Sequence, residues 1–140
     1  STAYQKLSKL EKPVSIDVFG LTTSVNNDLG IGQNFSQLGK HANIISPMVY
    51  PSHYSRGSFG VANPATKPYK VVYQSMVDAR NKVDKNVDIR PWLQDFSLKH
   101  PYSVSEVESQ INAVESLGIK EWLLWNPRSR YTREALKSNK

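Results

Sequence analysis

The sequence predicts an α/β fold, with residues 1–140 as a single domain of four parallel strands and intervening helices arranged as half of a (β/α)8 TIM barrel. Three observations predict it. Strand-length apolar runs alternate with helical patterns, which implies right-handed crossovers and a parallel sheet. Each strand has one aliphatic and one mixed polar face, whereas a doubly wound sheet, covered by helices on both sides, needs two apolar faces. The chain has 140 residues, and a complete barrel needs about 250.

The elements follow in order. "TAYQKLSKLEKP" sets Ala3, Leu7 and Leu10 on one helical stripe and stops at Pro13. This start inside a helix suggests a cut in a longer chain. "VSIDVFGL" is β-rich and closed by glycine, and "TTSVNNDLGIGQN" has the Asn, Asp and Gly of a loop. A short helical piece at "FSQLGKH" precedes the second strand, "ANIISPMVYP", which delivers the long loop "SHYSRGSFGVANPATKP". "YKVVYQSMVDARNKV" aligns Tyr69, Val72, Tyr73, Met76, Ala79 and Val83 at helical spacing. "DIRPWLQDF" is the third strand. In "SVSEVESQINAVESLG", Ser103 and Glu106 form a capping-box pattern, Val104, Val107, Ile111 and Val114 form the stripe, and Gly118 marks the end. "IKEWLLWNP" is the fourth strand, followed by a basic tail with room for one short helix.

Facing assignments come from alternation. Ser15, Asp17 and Phe19 oppose Val14, Ile16 and Val18. Ser46, Met48 and Tyr50 oppose Ile45, Pro47 and Val49, while Arg90, Trp92 and Gln94 oppose Ile89 and Leu93. In a barrel the aliphatic face meets the outer helices, and the inner face carries large and polar groups toward the mouth.

Composition narrows the function classes. Eighteen basic and twelve acidic residues leave a net charge of +6, but the basic residues are spread along the chain, so solvated helix faces are favoured over a nucleic-acid footprint. Cysteine is absent, which excludes disulfides, thiolate metal sites and a cysteine nucleophile. No apolar run approaches the roughly 18 residues of a membrane span. His41, His53 and His100 lack metal-ligand spacing, and no glycine loop of phosphate-cradling type is present, so neither metal nor cofactor is expected.

Barrel sites gather where strands end, and the unusual residues fall there: Asp17, then Tyr50, His53 and Tyr54, then Gln94 and Asp95, then Trp125 and Asn126. Aspartates among tryptophans and tyrosines suit carbohydrate, whose ring faces stack on aromatics while hydroxyls bond to carboxylates and amides. Glycosidic cleavage needs two carboxyl groups roughly 5 to 10 Å apart, and Asp17 and Asp95 are the candidates. Bland roles stand beside these: Asp17 as an ion pair with Arg90, Asp95 as the cap of its own turn, Trp92 and Trp125 as core, His53 as a loop anchor.

The series "DVFG", "GIGQ", "ISPMVYPSHY", "NPATKPY", "IRPWLQDF", "QINA" and "WLLWNP" resembles the C-terminal half of a bacterial family of "putative glycoside hydrolase" domains, formerly a domain of unknown function, in the TIM-barrel glycosidase superfamily. The resemblance covers about residues 13 to 131. It implies that the four strands are the fifth to eighth of a barrel and that a catalytic carboxylate stands in the N-terminal half. It matches Asp17, His53 and Asp95 to motif positions; from their strand-end placement, Tyr50, His53, Tyr54, Trp92, Gln94, Trp125 and Asn126 are expected to shape substrate contacts. The expectation is a C-terminal fragment of a polysaccharide or oligosaccharide hydrolase, inactive alone, whose bare edges pair with the missing half or with another copy. The parent protein is expected to be secreted or associated with the cell envelope. The alternative is a non-catalytic carbohydrate-binding or scaffold module. Nucleic-acid binding through the +6 charge ranks last.

Overall fold

A computed structural model describes residues 2–136. Chain order runs α1 (Thr2–Leu7), β1 (Ser15–Phe19), α2 (Phe35–Gly39), β2 (Ile44–Met48), α3 (Pro68–Arg80), β3 (Asp88–Ile89), β4 (Trp92–Gln94), α4 (Val104–Glu115) and β5 (Leu123–Trp125), with 3-10 turns between them. Every pairing is parallel, and the strands lie in the order β1-β2-β4-β5, with β3 also beside β2. Sheet order therefore follows chain order without the reversal that defines a doubly wound sheet. Right-handed crossovers that all advance the same way lay their helices on one face. The fold is α/β with a parallel sheet, compatible with a partial α/β barrel.

The covered face is the aliphatic one. Val18, Ile45, Val49 and Leu93 join Val72, Met76 and Ala79 of α3 and Val107, Ile111 and Val114 of α4 in one buried cluster. Burying each such aliphatic side chain contributes about 1.5–3 kcal/mol, so this layer holds helices to sheet. On the opposite face Phe19 is 50% and Trp125 44% exposed, and Ser15 and Asp17 are exposed as well. At the end of β1 the backbone crowds β2: a Cβ on Gly20 would stand 2.3 Å from the Met48 carbonyl oxygen. Only glycine fits there.

Local chemistry explains the helices. Ser103 N–H donates to Glu106 Oε2 at 2.9 Å, and the two side chains meet at 2.6 Å, completing the expected capping box of α4. Gly118 follows the helix at φ +75°, the left-handed region that glycine enters without a Cβ clash. Helix α2 starts at Asn34, whose Oδ1 accepts from Gln37 N–H at 3.0 Å. Helix α3 starts with Pro68, whose missing N–H is no loss at that position. Its buried stripe is Val71, Val72, Ser75, Met76 and Ala79; the expected Val72, Met76 and Ala79 are in it and Val83 packs against the core, while the two tyrosines are not. Tyr69 and Tyr73 instead stack on each other at the surface, 5.8 Å apart, with the Tyr69 hydroxyl 3.3 Å from Ser116 Oγ.

The expected third strand is two pieces. Arg90 N–H donates to Ile45 O at 3.0 Å and Val49 N–H to Trp92 O at 3.1 Å, so residues 45, 47 and 49 turn their backbone toward it. Pro47 has no N–H to give, and the ladder lapses at the Arg90 carbonyl. Pro91, which faces β5, lacks the donor on the other side; its carbonyl still accepts from Leu123 N–H at 2.9 Å. Below that bond the chains part, opening a cleft of about 320 Å³ lined by Arg80, Asp88, Ile89, Arg90 and residues 117–121.

The ends differ from expectation. Helix α1 forms, but it buries no residue, and Leu7 and Leu10 are 45% and 64% exposed. Its apolar stripe of Ala3, Leu7 and Leu10 stays exposed. The basic tail makes a 3-10 turn at Arg133–Leu136 that buries Ala135, and the last four residues of that expected helix lie outside the described residues.

Candidate functional site

Alternation along β1 turns Asp17 and Phe19 onto the helix-free face, and register aligns Phe19 with Met48, Met48 with Trp92, and Gln94 with Trp125. Four strands thus deliver side chains to one surface. Trp92 Nε1 donates to Asp17 Oδ1 at 3.0 Å, and the Trp92 and Trp125 rings meet edge to face at 6.2 Å and 90°. Asp17 is itself exposed, and the oxygen that takes this bond is Oδ1. A carboxylate beside two perpendicular indoles offers a hydroxyl acceptor and apolar faces together.

Tyr50 stands behind this surface. Its ring packs edge-on against His53 and Phe96, with centroids 5.3 and 5.5 Å away. Burial first, then the Asp17 carboxylate and Tyr131, push its hydroxyl well above the ordinary tyrosine value. It stays protonated and can donate. Burial and then the Lys99 ammonium pull His53 below the ordinary histidine value, leaving a neutral imidazole at neutral pH.

The other expected site residues bond their polar atoms within the protein. Gln94 is fully buried: Oε1 accepts from Ser52 N–H at 3.1 Å, and Nε2 donates to Ser52 Oγ at 2.8 Å and to Phe96 O at 2.7 Å. Tyr54 meets Ser75 Oγ at 2.9 Å, and burial raises its hydroxyl to about 12. Asp95 is 3% exposed, with both oxygens 2.7 Å from donors on Thr132. Asn126 donates to the Asp95 carbonyl and accepts from Arg128 N–H. The structure therefore groups Asp17, Tyr50, His53, Trp92 and Trp125 around the open face, and spends the polar atoms of Tyr54, Gln94, Asp95 and Asn126 on holding loops.

Two structural pairings differ from the bland roles considered above. Arg90 does not pair with Asp17; its Nη1 lies 3.7 Å from Glu121 and its Nη2 3.4 Å from Ser15 Oγ, because the Trp92 indole has taken the aspartate. Asp95 reaches Thr132 on a distant loop rather than capping its own turn. Sequence reasoning also passed over Phe96, Tyr131 and Thr132. Phe96 closes the "DIRPWLQDF" motif, whereas Tyr131 and Thr132 sit in a tail whose one sequence signal is its basic charge. Among the described residues no group of three or more His, Asp or Glu could hold a metal.

Fold and site together define an α/β protein whose parallel sheet, covered by helices on one side, carries a carboxylate and indole cluster on the other. Over residues 1–131 the chain matches the model of the family described as "putative glycosyl hydrolase domain", and it belongs to that family. No curated protein matches it.

Proposed function

We propose that the chain is the C-terminal half of a (β/α)8 barrel glycoside hydrolase, supplying one wall of a polysaccharide or oligosaccharide site and inactive without the other wall. The observation that carries the reading is the solvent-facing Asp17 carboxylate bonded to Trp92 with Trp125 set edge-on. The unreversed strand order and one-sided helices support the barrel. The family description supports the chemistry class.

In this reading Asp17 is the catalytic carboxylate of this half, and Trp92 and Trp125 supply stacking faces for a sugar ring. Tyr50, held protonated, donates toward a substrate oxygen, and His53 lines the adjoining subsite. Cleavage needs a second carboxyl group roughly 5–10 Å across the bond, which the covering half supplies. Asp17→Asn in the complete protein is expected to lower reducing-end release from a polysaccharide panel by about a hundredfold or more, the usual weight of a general acid or base. A wild-type rate refutes the role. Because this face presents one free carboxylate beside its tryptophans, a second reading is carbohydrate binding without cleavage. Sugar-dependent tryptophan fluorescence with no reducing-end release selects it.

A further inference from the structure

We propose that Gln110 is a positioning residue: from helix α4 it takes the place of a neighbouring strand beside Gln94, and through Gln94 it sets the Tyr50, His53 and Phe96 rings as one wall of the site. The inference rests on the hydrolase reading for its use, but its geometry stands alone.

Alternation turns the backbone of residues 90, 92 and 94 toward β2, where Arg90 N–H donates to Ile45 O at 3.0 Å and Val49 N–H donates to Trp92 O at 3.1 Å. One step further, a parallel ladder would bring the N–H of residue 51 to the Gln94 carbonyl, and Pro51 has none. β2 has ended at Met48, and the chain turns away through Pro51–His53. Gln110 fills the place. Its Oε1 accepts from Gln94 N–H at 2.9 Å, and its Nε2 donates to Gln94 O at 2.7 Å and to Glu106 O at 3.2 Å. The side chain is fully buried. A primary amide carries donor and acceptor on one plane, the pair that a strand neighbour would present. Gln110 opens the "QINA" run, whose part in the fold is thereby explained.

The residue so held is the one that gathers the wall. Gln94 reaches Ser52 N–H and Oγ and the Phe96 carbonyl with its side chain, so two segments are referred to one amide. Ser52 lies between Tyr50 and His53, and His53 N–H closes their turn on Tyr50 O at 2.9 Å. The three rings meet with centroids 5.3 Å apart for Tyr50 and His53, 5.5 Å for Tyr50 and Phe96, and 6.0 Å for His53 and Phe96. Tyr50 is buried, Phe96 half-buried and His53 exposed, so the cluster runs from the core out to solvent at the strand ends. Its outer edge is a ring surface of the kind that a sugar packs on.

The test is NMR of the chain without sugar. Gln110→Met keeps the length of the side chain and removes both bonds to Gln94. Gln110→Glu is the conservative variant, because burial keeps its carboxyl protonated, with one donor and one acceptor. The readouts are the folded-state chemical shifts of the Ser52 amide and the His53 ring protons, which a change in overall stability alone does not move. Gln110→Met is expected to shift both toward their positions in Gln94→Leu and to leave the His41 ring protons in place; Gln110→Glu should match wild type. Unmoved Ser52 and His53 resonances in Gln110→Met, or the same displacement in Gln110→Glu, overturns the proposal. Should Gln110→Met not fold, the wild-type chain still decides: its Gln110 side-chain amide protons must show a nuclear Overhauser contact to the Gln94 amide, and lack of one overturns the proposal as well. No readout depends on hydrolysis, so loss of the Asp17 assignment and loss of this wall are told apart.

Discussion

Replacing Gln94 by leucine separates a binding role from a structural one. The side chain is fully buried and makes three hydrogen bonds, two of them with Ser52, which is itself 1% exposed. Leucine has a similar shape but no donor or acceptor. The substitution strands Ser52 N–H and the Phe96 carbonyl, each at about 1–3 kcal/mol for a buried unsatisfied group. Leucine's own transfer from water returns about 1–2 kcal/mol. Mid-range values give a net loss of about 2–3 kcal/mol, a large share of the roughly 5–15 kcal/mol that holds a domain folded. Urea unfolding followed by tryptophan fluorescence reads it as a midpoint about 1 M lower or more, at unchanged slope. A loss below about 1 kcal/mol would mean that these bonds do not hold the 51–53 turn to β4, and the reasoning that removes Gln94 from the ligand surface would fall.

The capping box of α4 makes a pH prediction. The Ser103 hydroxyl first, and its backbone N–H with it, hold Glu106 down to about 2 from an ordinary 4.5, against the opposing effect of burial. A folded value below the unfolded one means stabilisation that is full above about 4.5 and is lost as pH falls toward about 2. Glu106→Gln keeps the hydrogen-bonding shape without the charge, so its deficit in urea midpoint should shrink from pH 6 to pH 3; a deficit constant over that range sinks the assignment. Arg90 gives the opposite sign. Its Nε is buried without a partner and its ion pair is long at 3.7 Å, so Arg90→Met should leave stability unchanged or raise it by about 1 kcal/mol. A thermal-unfolding midpoint several degrees lower would show that Glu121 and Ser15 satisfy the guanidinium after all.

Much of the scaffold was legible because its causes are local. The capping pair Ser103 and Glu106 and the closing Gly118 mark α4 within a span of 16 residues, and the alternation of Ser15, Asp17 and Phe19 with Ile16 and Val18 announces a two-faced strand. The split of the third strand was not legible. It depends on Pro47 falling where a backbone N–H would have met the Arg90 carbonyl, and only sheet register brings those two groups together. The stripe of α3 was right at Val72, Met76 and Ala79 but wrong at its edge for a related reason: Tyr69 and Tyr73 share helical spacing with the core positions, and packing against the 3-10 turns and α4 buries Val71 and Ser75 instead.

The same division runs through the site. By itself the sequence determined the order of strands and helices, the aliphatic and polar faces, and which chemical groups gather near the strand ends, because periodicity, caps and breakers act over a few residues. Only the tertiary structure decided which of those groups remain open to a ligand. Gln94, Asp95 and Tyr54 find their partners 42, 37 and 21 residues away, while Asp17 meets Trp92 across 75. A polar side chain in an apolar run looks the same whether it awaits a ligand or a distant backbone, and folding alone brings the second kind of partner within hydrogen-bond reach.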